Sequence, residues 1–160
     1  MAFYSKYNLT ILAIPAYYSL AVLPHMYAIN VATNNRPLEW DNRAPRSSEH
    51  KAAVKQEIGE EAYARYERAE GAHANALEQL PLFASAIIVG NAAGLPRKGV
   101  FGLDTFVGAW FAVRVLHTVT YIAGSTKQAA WIKTGVWAAS LGMVFTVFGQ
   151  AARVLNRSAV

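Results

Sequence analysis

Six side chains with chemistry to offer lie in two stretches that are otherwise apolar. One holds Asn75, Glu78 and Gln79; the other holds Arg114, His117 and Tyr121. If both stretches are helical, Arg68, Asn75 and Glu78 fall within about 80° of one another, and Arg114, His117 and Tyr121 within about 60°. Each set therefore occupies one helix face. A guanidinium with an amide and a carboxylate holds the charged groups of a small polar ligand. A histidine beside a tyrosine transfers protons, with Glu78 as partner. Glu78 and Arg114 are expected to face each other. The plain reading of that pair is an ion pair that fixes helix register, but it leaves Asn75, His117 and Tyr121 in the same patch unexplained. His73 lies about 160° from Asn75 around the helix, which makes it an interfacial or helix-packing histidine and not a member of this patch. The four histidines, His25, His50, His73 and His117, show no pair spaced i,i+4 and no HExxH motif, so no metal site is expected. With no cysteine, disulfide scaffolds, thiolate zinc sites and cysteine nucleophiles are excluded.

The elements that must position these residues follow from where the charges are. The chain has 160 residues, enough for one domain. Apolar residues make up 54% and charged ones 16%, which excludes disordered and low-complexity classes. Of 25 charged residues, 15 sit between Arg36 and Glu70, seven basic and eight acidic. The net charge of +5 is thus no basic surface, and no nucleic-acid partner is expected. Outside that stretch four apolar segments stand out, at about 9–32, 72–94, 101–123 and 129–150, each near the ~20 residues that a membrane-spanning helix needs. None alternates strictly as a strand would. The last is apolar on all sides, which favours lipid over water. Lys6 precedes the first segment as in a signal peptide, but a run of 24 residues exceeds the usual apolar core of roughly 7–15. The fold class expected is all-α, an integral membrane four-helix bundle. Leu95 to Gly99 and Gly124 to Thr126 are short turns between antiparallel neighbours, with Ser125 or Thr126 as cap. The long connector, 33–71, becomes helical from about Ser47, breaks at Gly59 and carries Glu61 and Arg65 spaced for an i,i+4 pair.

Two polar faces on such helices meet at one depth. The second helix enters from the connector's side and places Asn75 and Glu78 roughly 8–12 Å in; the third leaves on that side, with Arg114, His117 and Tyr121 roughly 5–15 Å from its end. Nine basic residues accompany the connector and the third turn, and five the opposite side. The positive-inside rule therefore puts the connector in the cytosol and both termini in a lumen or outside. In the fourth segment Gly135, Gly142 and Gly149, with Ala139 nearby, form a stripe of small residues suited to close helix packing.

Glu67-Arg68, Ala72-His73, Asn75, Glu78, Pro81 and Phe83 resemble the second-helix signature of the MAPEG family, the membrane-associated proteins of eicosanoid and glutathione metabolism. The run from Arg114 to Tyr121, RVLHTVTY, is similar to the third-helix segment of its prostaglandin E synthase-like and microsomal glutathione transferase-like members. The resemblance covers nearly the whole chain. It implies a homotrimer in the endoplasmic reticulum or a similar membrane, with glutathione between neighbouring subunits at the cytosolic side and a lipophilic substrate arriving from the lipid. Asn75 and Glu78 are then implied to hold the polar backbone and amino group of glutathione. Arg114, His117 and Tyr121 line the same site, and Arg36 matches a family arginine at the end of the first helix. The chain departs from the pattern at Gly71 and Ala74, where many members carry arginine, and after Tyr121, where Gly124-Ser125-Thr126-Lys127-Gln128 holds no arginine to activate the thiol. Lys127 is the cation nearest in sequence.

Three functions follow from these residues. The first is a glutathione-dependent transferase, peroxidase or isomerase acting on a lipophilic electrophile, with Tyr121 or a nearby cation holding the thiolate. The second is a glutathione-independent isomerase or cyclase in which His117 and Tyr121 are catalytic and Glu78 is their partner. The third is a non-catalytic lipid-binding protein on the same scaffold.

Overall fold

The computed structural model describes residues 6–158 and contains four long helices. They are α1 (Leu9–Ala32), α2 (Ser48–Ala92), α3 (Leu103–Ala123) and α4 (Lys127–Ser158), with one turn of 3₁₀ helix at Pro37–Glu39. There is no strand among the described residues. Local chemistry sets the ends. The Asn8 side chain accepts from the Thr10 amide and caps α1, and Ser47 accepts from the His50 amide and caps α2. Of the two candidate caps before α4, Thr126 is the one used: its hydroxyl accepts from the Ala129 amide at 3.2 Å. Gly59 has φ +80° and ψ 169°, a conformation open to glycine and strained for other residues, and it breaks α2 where the sequence predicts a break. Glu61 and Arg65 pair at 3.5 Å on the exposed face beyond it. Helix α2 begins at Ser48, as the helical reading of the connector from about Ser47 predicts. A difference from the sequence expectation lies in α4, which runs eight residues past Gln150 and carries Arg153 and Arg157.

The helices pack up-down-up-down. Contacts pair His73 with Ala21 and Asn91 with Thr10 between α1 and α2, and Arg68 with Ile122 and Asn75 with Arg114 between α2 and α3. In both sets one number rises as the other falls, as antiparallel packing requires. The centre is aromatic: Phe83 stacks on Trp110 with centroids 5.0 Å apart, and Tyr17 meets both edge-on at 5.2 and 5.6 Å. Around them Ala13, Ala86, Ile87, Leu103, Val144, Val147 and Ala151 are buried.

By length and composition three helices are apolar enough to cross a membrane: Leu9–Ala32, Leu103–Ala123 and Lys127–Arg157. Four had been expected. Helix α2 does not meet that measure, because its apolar half also carries His73, Asn75, Glu78 and Gln79. Its residues from Arg68 to Asn91 nevertheless run alongside α1 and α3 over their length, about 35 Å at 1.5 Å per residue. Its small and aromatic positions, Ala72, Ala76, Phe83, Ala86 and Gly90, face its neighbours and are buried. Packing against α1 and α3 lets such a helix keep Asn75 and Gln79 off the outer surface.

Candidate functional site

The polar faces of α2 and α3 meet along one seam. At its outer end Arg68 Nε donates to the Ile122 carbonyl at 2.8 Å. One turn inward the Tyr121 side chain lies against Gly71: a Cβ placed there would sit 2.9 Å from the Tyr121 hydroxyl and 3.1–3.2 Å from its ring. Another turn inward Arg114 Nη2 donates to Asn75 Oδ1 at 2.9 Å. A larger side chain here would press on the Tyr121 hydroxyl and ring, so the departure from the family pattern at Gly71 gives the helix-three tyrosine its seat.

Arg114 is the most telling group. It is 1% exposed, lies over the Trp110 ring at 6.0 Å and is neighboured by Tyr17, whose hydroxyl donates to the Ala76 carbonyl at 3.1 Å. Among the described residues its Nε and Nη1 make no well-formed hydrogen bond, although the Tyr17 side chain lies within hydrogen-bonding reach of the guanidinium. His117, 2% exposed, likewise has an unpartnered Nδ1, and its ring meets that of Tyr121 edge-on at 5.6 Å. Gln79, on the same side of α2, is buried with Oε1 unpartnered. Buried donors left unmade cost about 1–3 kcal/mol each, more when charged. Two guanidinium nitrogens and one imidazole nitrogen on adjacent turns of α3 are therefore left with hydrogen-bonding capacity to spare.

The remaining sequence candidates are placed differently. Glu78 is exposed and makes no ion pair with Arg114; Asn75 takes the guanidinium instead. The reason is rotation. Arg68 and Asn75 lie within about 20° of each other on the face toward α3, whereas Glu78 lies about 60° beyond Asn75, just past Gly71 at the edge of that face. Arg36 stays outside this cluster: it is exposed and pairs with Glu39 at 3.1 Å. His73 faces α1, as its angle from Asn75 implies, donating from Nδ1 to the Ala21 carbonyl at 2.7 Å and stacking on His25 at 5.0 Å. His25 Nδ1 in turn contacts Glu70 Oε1 at 2.6 Å. Among the described residues no group of three or more histidines and acids could hold a metal.

A family model for the MAPEG family matches residues 12–153. The chain belongs to the MAPEG family. No match is found among the curated proteins or the solved structures. Membership makes this an all-helical integral membrane protein of a family concerned with glutathione and eicosanoid metabolism. Two contributors escape the sequence patterns that mark this MAPEG site. Tyr17 sits in an apolar run with no signal to distinguish it. Lys133 of α4, whose ammonium lies over the Tyr121 ring at 3.7 Å, was visible as the sole charge of the fourth apolar segment. Lys127, the cation nearer in sequence, is exposed at the start of α4.

The Gly71–Tyr121 contact makes a direct prediction. Gly71→Val in α2 should push the Tyr121 ring off its seat, and catalytic turnover should fall at least about tenfold while the melting temperature moves by only a few degrees. Gly71→Ala, which asks Tyr121 to give by a few tenths of an ångström, should be much milder. Turnover measured beside thermal unfolding in detergent checks both.

Proposed function

We propose that this MAPEG protein is a membrane-embedded, glutathione-dependent enzyme of the transferase, peroxidase or isomerase type, acting on a lipophilic electrophile. The observation that carries the proposal is the buried Arg114 guanidinium, fixed by Asn75 through Nη2, with the Tyr17 side chain beside it and with no well-formed hydrogen bond at Nε or Nη1. Glutathione fits that donor set: it is a peptide with two carboxylates, and a guanidinium fork matches a carboxylate in geometry and charge. Bound there, it supplies a thiol as nucleophile or reductant.

Arg114 orients the ligand and neutralises its charge, and Asn75 holds Arg114 at one rotation. Glu78, exposed on the adjacent turn, is free to meet an ammonium group. His117 and Tyr121 offer a donor each beside the reacting end and are the groups proposed to hold or move a proton there. We place the protein as a homotrimer. Its α4 stripe of Gly135, Gly142 and Gly149 is open around each Cβ position and lets a neighbouring copy approach closely. The charge bias of the loops supports a cytosolic connector and lumenal termini in the endoplasmic reticulum or a similar membrane.

The test is glutathione added to purified protein in detergent, followed by ultraviolet thiolate absorbance near neutral pH. Saturable absorbance at about one equivalent per site is expected. An absence of binding, together with turnover of a lipophilic substrate in thiol-free membranes that His117→Ala abolishes, would overturn the proposal in favour of glutathione-independent proton transfer.

A further inference from the structure

We propose that Lys133, on α4, is a ligand-facing cation of this site, and that it supplies the positive charge for the anionic end of whatever binds between α3 and α4. The inference rests on the Proposed function only for the identity of that ligand. Its physical basis is separate. Lys133 is half-buried in a helix that is apolar enough to cross a membrane. Among the described residues it has no carboxylate partner in any ion pair or hydrogen bond. Its ammonium sits 3.7 Å from the Tyr121 ring centroid, a cation–π contact that fixes the position of the charge without neutralising it. Arg114, two turns of α3 away, is also without a carboxylate, and between the two cations lie His117, with its bare Nδ1, and Tyr121.

Two positive charges at membrane depth with no acid to balance them are costly. Lysines in such positions ordinarily pair or reach out to the interface. Here the aromatic face holds Lys133 inward instead, level with Tyr121. The chain has placed one cation on each side of the His117–Tyr121 edge, so a ligand with two separated anionic groups satisfies both. Arg114 matches a carboxylate by its planar fork, and Lys133, a compact point charge with rotatable donors, suits a single anionic atom. In the glutathione reading, that atom is the sulfur. Lys133 then does from α4 what no residue after Tyr121 on the third turn does, and helix four becomes part of the site.

The test compares two probes on the full-length protein in detergent by calorimetry: glutathione sulfonate, permanently charged at the sulfur, and S-methylglutathione, neutral there. Lys133→Met should weaken the sulfonate at least about tenfold more than the S-methyl compound, and Lys133→Arg should restore most of the difference. An equal loss for both probes would make Lys133 a structural residue and overturn the proposal, as would no loss for either. If the wild type binds neither probe, the glutathione reading fails and a second arm decides. A photoreactive fatty carboxylate is compared with its primary amide for labelling of the wild type and Lys133→Met. A carboxylate preference that vanishes in the variant sustains the anion-binding role. Labelling without such a preference, or no labelling at all, overturns it.

Discussion

Arg114→Met should lower glutathione affinity and glutathione-dependent turnover by about a hundredfold or more, with the helical bundle intact. That figure comes from two nitrogens, Nε and Nη1, that make no well-formed hydrogen bond in a guanidinium that is 1% exposed. Hydrogen bonds to a charged group are each worth about 1.5–3 kcal/mol, and about 1.4 kcal/mol is a factor of ten. Two such bonds give roughly 3–6 kcal/mol, or about a hundredfold to ten-thousandfold. The fold should tolerate the change, because methionine fills the space over Trp110 and removes a buried charge that no carboxylate balances. Arg114→Lys should recover little, since an ammonium cannot hold Asn75 and a planar carboxylate together. Affinity by calorimetry and circular dichroism of the same samples separate loss of site from loss of fold.

The second large effect is on stability. Phe83→Ala should destabilise the protein by about 3–5 kcal/mol, the usual range for truncating a buried aromatic residue. Phe83 is fully buried and lies at the meeting point of α1, α2 and α3, stacked on Trp110 and edge-on to Tyr17. In a membrane the helices gain little from hydrophobic exclusion, so the loss is one of close packing and of cavity formation. The damage reaches function because Trp110 is the ring beneath Arg114, one turn before it on α3. Thermal unfolding in detergent should show the large drop for Phe83→Ala and a small one for Phe83→Leu, which retains most of the volume.

Much of this architecture is legible in the amino-acid sequence, for reasons that differ by residue. The apolar run from Leu9 to Ala32 holds no charge and is followed by turn residues, so α1 occupies those same positions. Gly59 marks the break in α2 through its positive φ. Helical periodicity assigns Asn75 and Arg114 to polar faces, and those two residues do meet. Periodicity does not say how far each helix is rotated toward its neighbour. That rotation is set by side-chain packing along the whole seam, Gly71 against Tyr121 and Arg68 against Ile122, and it turns Glu78 outward. Arg36 was assigned by its place at the end of α1, but a local Glu39 three residues on captures it. Lys133 is the one charge of the fourth apolar segment, but a sequence shows neither the depth of its side chain nor the aromatic ring on which it rests. The glycine at position 71 has meaning only once Tyr121 is seen to need the space.

The central claim is that α2 and α3 form one binding unit through Asn75 and Arg114. A double-mutant cycle on glutathione affinity tests it most directly, comparing the wild type, Asn75→Ala, Arg114→Met and the double variant by calorimetry. The account predicts that Asn75→Ala weakens binding at least about tenfold in the wild-type background and has little further effect once Arg114 is gone. Full additivity of the two changes, or binding that is indifferent to both, would contradict it.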